Sequence, residues 1–163
     1  MILSEGGALQ CGAVQHQFGT PEELYLAVVE HGWEEIADAY RKAPGANTPV
    51  DRRITAWARS LVEAYTGPAA LAGYEMLVYY RGNADFVARQ VPMALAAEAE
   101  LDGLWVAAFA DTGLGRARLV GLRHTARTFM LGAVARSFMV PETDAHLRRE
   151  VADLLRAFLP ARG

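Results

Sequence analysis

Gln10, Gln15 and Gln17, interspersed with Cys11 and His16, concentrate polar side chains in one short stretch of this 163-residue chain. A glutamine amide can pair at two points with the N6 and N7 edge of adenine, so these residues on a helix in the major groove would read bases. The plainer reading is a set of exposed polar side chains on a helix surface. Cys11 has no basic neighbour in sequence to stabilise a thiolate, so an inert thiol is expected. A second group, Trp57, Leu61, Tyr74, Val78, Trp105, Phe109 and Phe129, offers the apolar and aromatic surface of a small-molecule pocket, with His124 and Thr125 as polar groups among it. Core packing competes with that reading for each of them. A third group, Glu98, Glu100 and Asp102 with His124, has the chemistry of metal ligands, but acids alternating along a helix are expected to form a solvated face. No metal or other cofactor is expected. The chain contains no G-x-S-x-G, H-E-x-x-H or phosphate-loop pattern, and Gly113-Leu114-Gly115 lacks the rest of a nucleotide fingerprint. It is not expected to be an enzyme.

Helices must place these groups. Gln10 to Phe18 has the size and pattern of a recognition helix, and Thr20-Pro21-Glu22-Glu23 marks the start of the next one. It supplies a hydroxyl N-cap, proline at the first helical position and glutamate three residues after the cap. Leu24, Ala27, Val28, Trp33, Ile36 and Tyr40 then recur at three- and four-residue steps until Pro44-Gly45. Thr48 as cap and Pro49 as first residue begin a second helix, striped by Ile54, Trp57, Ala58, Leu61, Val62 and Tyr65 as far as Gly67. Pro68 opens a third, ending at Gly82, whose apolar residues cover most of its circumference. Such a helix is expected to be buried on several sides. Asn83 caps a fourth that runs to about Asp111, where Pro92 is expected to introduce a kink or break. Arg116 to Val140 and residues 143–159 complete an all-α chain.

Composition narrows the class further. With 52% hydrophobic residues, the chain can bury the core of one ordinary globular domain. One cysteine excludes an internal disulfide and suits a reducing cytoplasm, and no apolar run reaches the roughly 18 residues of a membrane span. The start MILSEGG lacks the basic region of a signal peptide, so a cytoplasmic location is expected. Charge is unevenly spread: residues 1–40 hold no Lys or Arg, against Glu5, Glu22, Glu23, Glu30, Glu34, Glu35 and Asp38. Since phosphate-backbone affinity comes from Lys and Arg displacing counterions, that segment alone is a poor nucleic-acid surface. The wide apolar faces of the last two helices, about 116–140 and 143–159, are expected to pair with a second copy as a homodimer.

Leu3 to Val28, and GAVQHQFGTPEELYLAV within it, resembles without a gap the helix-turn-helix end of TetR-family (tetracycline-repressor-like) transcriptional regulators. Leu3, Leu9, Gly12, Ala13, Phe18, Leu24, Ala27 and Val28 match the apolar or glycine positions of the family pattern. Gln10, Gln15, Gln17 and Pro21 depart from it where Ser, Tyr, His and Lys are usual. The resemblance implies two regions: a partial helix-turn-helix over residues 1–28 and a helical ligand-binding and dimerisation domain over 29–163. It implies operator DNA as a partner, with contacts from Gln10, Cys11, Gly12, Ala13, Gln15, His16, Gln17 and Thr20. It also implies a small apolar or aromatic effector that controls a repressor. The family has a further, basic helix before Leu3 that this sequence does not contain. A start assigned too far downstream, or a shortened helical dimer that binds a ligand or a full-length regulator without binding DNA well, would each account for that.

Overall fold

The computed structural model describes residues 19–140 and 143–159. Those residues form six α-helices, α1 (Pro21–Lys42), α2 (Val50–Thr66), α3 (Pro68–Tyr80), α4 (Ala84–Ala108), α5 (Arg116–Ser137) and α6 (Asp144–Phe158), with a short 3-10 turn at Ala110–Thr112. No strand occurs among them, and none of these helices is long and apolar enough to cross a membrane.

The start of α1 is the capping box expected from sequence: the Glu23 amide donates to Thr20 Oγ1, and the Thr20 amide donates to the Glu23 carboxylate. Helix α2 begins one residue later than expected. Pro49 is extended and serves as N-cap without a side-chain bond, while the Thr48 amide closes a turn onto the Gly45 carbonyl. Pro92 neither breaks nor ends α4. Its missing N–H frees the Ala88 carbonyl, and both residues are exposed, so water can satisfy it. The buried-all-round expectation for α3 is also overturned: Gly73 is its one fully buried residue, and Val78 and Tyr79 face outward. Helix α3 packs chiefly against α1 and covers the bundle from outside. Helix α5 ends at Ser137, short of Val140.

The main core lies between α1, α2, α4, α5 and α6. Trp57 meets Tyr40 and Trp105 edge-on, at ring separations of 4.9 and 5.0 Å, and Phe109 closes the group. The Trp57 indole donates to the Pro44 carbonyl at 2.9 Å, tying the α1–α2 connection to the core. A smaller cluster of Leu26, Val29 and Phe86, with Tyr25 and Tyr80 against it, fastens α3 and the start of α4 to α1.

Candidate functional site

A cavity of about 270 Å³ lies between α1, α3 and α5. Helix α1 contributes Val29, Gly32, Trp33 and Ile36; α3 contributes Ala70, Gly73, Tyr74, Leu77 and Val78; α5 contributes Arg127, Leu131 and Val134. Tyr65 of α2 and Arg81, just past α3, complete the wall. Gly32 lets α1 and α3 meet closely, and Gly73 lies at the same crossing in ordinary contact distance. A Cβ on Gly32 would lie 3.0 Å from the Ala69 carbonyl oxygen, and one on Gly73 would lie 3.6 Å from Val29 Cα. Apolar side chains on either side of that crossing then surround the open space.

One edge of the cavity adjoins a buried polar network. Arg123, fully buried, donates to Asp102 and Glu98 of α4. One turn later on α5, Arg127 pairs with Glu98 across 3.0 Å and places its guanidinium 5.7 Å from the centre of the Trp33 ring. The hydroxyls of Tyr40 and Tyr65 lie side by side near Arg123, neither in a well-formed hydrogen bond. Burial raises the pKa of both phenols, that of Tyr40 far above its usual value, so they stay protonated donors. The cavity wall carries two arginines and no carboxylate.

The residues expected to line a ligand site fall in three places. Tyr74 and Val78 are on the cavity wall. Trp57, Leu61, Trp105 and Phe109 are enclosed in the main core, where neighbouring rings fill the space a ligand would need. His124, Thr125 and Phe129 lie along a shallow outer groove of α5, with Thr125 donating to the Gly121 carbonyl. Of the acids expected to form a solvated face, Glu100 is exposed and pairs with Arg41 at the surface, whereas Glu98 and Asp102 are largely shielded and engaged by Arg123. No group of three metal-ligating side chains occurs among the described residues. Of the residues expected at DNA, Thr20 is the α1 cap, while Gln10, Cys11, Gly12, Ala13, Gln15, His16 and Gln17 lie outside the described residues. The boundary drawn between residues 28 and 29 falls inside the unbroken α1.

Arg127, Arg81, Tyr65 and the glycine crossing were not singled out from sequence. The signal for Arg127 was present, in the i, i+4 pair Arg123 and Arg127 on a helix otherwise striped with apolar residues, and Glu98 and Asp102 at the same spacing on another. No protein-family model matches the chain, and neither a curated protein nor a solved structure does.

Proposed function

We propose that the chain is a TetR-like transcriptional regulator, a repressor, whose hold on operator DNA is controlled by a small effector in the α1–α3–α5 cavity. The observation that carries this reading is the double role of α1. It supplies Val29, Gly32, Trp33 and Ile36 to the cavity and runs back without interruption to the Thr20 cap, directly after the glutamine-bearing stretch. A ligand that prefers one setting of α1 would bias the position of whatever precedes Thr20, and in a dimer the spacing of two reading helices. The outer groove of α5 beside α6, where Phe129 and Gly132 lie and beyond which Phe158 is 47% exposed, supports pairing with a second copy. Gel-shift of the full chain with DNA flanking its own coding sequence tests the reading. A specific shift that a cavity ligand weakens is expected, and a specific shift indifferent to every cavity ligand overturns the switch.

The absence of Lys and Arg from residues 1–40 favours a second reading, a helical dimer that binds a ligand or a related regulator without holding DNA itself. In that case no specific shift occurs at any ligand concentration, while binding in the cavity persists.

A further inference from the structure

We infer that the cavity ligand is a small organic acid, with an aromatic or apolar body of roughly ten non-hydrogen atoms and one carboxylate placed between Arg127 and Tyr65. The inference rests on the reading of this cavity as a ligand site and adds the chemical class of the ligand. Size comes first: about 270 Å³ corresponds to roughly nine waters at about 30 Å³ each, which sets the scale of the body. The walls then select an apolar one, since Val29, Ile36, Leu77 and Leu131 present hydrocarbon and Trp33 and Tyr74 present rings.

Charge decides the remaining group. Arg127 and Arg81 are the charged residues on the wall, and no Asp or Glu joins them there, Glu98 standing behind Arg127. Arg127 pairs with Glu98 through Nε, and its side chain is 34% exposed, so its two terminal nitrogens are open to a ligand acceptor. Arg81 donates to the Val78 carbonyl at the rim and adds positive potential there. The Tyr65 hydroxyl, in a residue only 4% exposed, makes no well-formed hydrogen bond. A buried donor without an acceptor is costly, and a ligand oxygen relieves it. A cation would be repelled by both arginines. A neutral body would cover the outer guanidinium nitrogens of Arg127 without offering them a charged acceptor. A phosphate dianion needs more donors than one hydroxyl and part of one guanidinium supply. A monocarboxylate fits all three constraints, because its two oxygens match a guanidinium edge and a hydroxyl donor.

Three probes of one shape and different charge test this: naphthoate, naphthamide and naphthylmethylammonium, titrated calorimetrically into the full-length chain. Naphthoate is expected to bind at least about tenfold more tightly than the amide, the worth of one charge-assisted hydrogen bond, and the ammonium not to bind. Arg127→Gln is expected to erase the difference between acid and amide while the amide still binds. Arg127→Lys restores part of it, a result that simple loss of packing would not give. Arg81→Gln, altering an exposed side chain, is expected to narrow the difference without affecting folding. Val78→Trp, at the half-open mouth, is expected to block both probes with helical circular dichroism unchanged. Equal binding of acid and amide, preference for the ammonium, or binding of none of the three overturns the inference. Naphthoate binding that leaves a specific gel shift untouched keeps the ligand class and removes the regulatory switch. A gel shift relieved by the amide but not by naphthoate keeps the switch and removes the ligand class.

Discussion

At the scale of single residues, Arg123 and the two buried phenols govern the interior. Arg123 answers Glu98 and Asp102, both largely shielded from water, so removing it leaves Asp102 without its guanidinium and Glu98 with Arg127 alone. Arg123→Leu is expected to destabilise the fold by about 3–5 kcal/mol and to lower Tm by roughly 6–20 °C in calorimetry. Tyr40 and Tyr65 set the response to alkali. Burial raises their pKa in the folded state, so folding retains protons that the unfolded chain gives up above pH of about 10. The stability they contribute is complete below that pH and declines as pH rises through it. Tyr40→Phe is expected to keep or raise Tm at neutral pH, since its hydroxyl has no well-formed bond there. It should also flatten part of the alkaline decline, a change that pH-dependent denaturant melts would register. Sequence disclosed these residues by type but not by role. Arginines at i and i+4 suggest a solvated face until the acids of a second helix are known to oppose them, and that opposition is a tertiary fact.

At the scale of elements, the starts of helices were legible because caps are local chemistry. Thr20, Asn83 and Thr143 each accept an amide bond at the head of a helix, and all three bonds close within three residues of sequence. Pro49 misled by one position because proline suits both the first helical turn and the extended residue before it. The apolar circumference of α3 misled more deeply. Hydrophobicity all round a helix signals burial only if neighbours exist on every side, and α3 has α1 on one flank, the cavity on another and solvent beyond Tyr79. The α1–α3 crossing depends on Gly32, a residue that carries no pattern at all. Gly32→Val is expected to force the helices apart against the Ala69 carbonyl, at a cost of about 1–3 kcal/mol. The same substitution should weaken naphthoate binding, whereas Gly45→Ala, with open space around it, should leave both measurements unchanged.

At the scale of the whole molecule, the all-helical fold and its principal core were readable from periodicity, while the place of the cavity was not. The bulkiest aromatics, Trp57, Trp105 and Phe109, have the composition of a pocket but fill one another's space, and the open volume lies where glycine and alanine stand. Self-association belongs to this scale too. The chain is expected to run in light scattering at about twice its 17.7 kDa mass. Phe158→Glu, which changes an exposed side chain on α6, is expected to shift that mass toward the monomer without loss of helicity. Unchanged dimer mass would place the contact elsewhere.

The hollow against α1 bears finally on how long the protein survives. An apolar hollow offers a guest contacts with its walls, and a ligand at a hundred times its Kd adds about 2.7 kcal/mol to folding. Where degradation follows transient opening, that increment slows it by about a hundredfold. Limited proteolysis with and without naphthoate is expected to show this protection in the native chain and its loss in Val78→Trp. A guest in this hollow would then lengthen the life of the chain that holds it, an effect on its amount that acts through turnover alone.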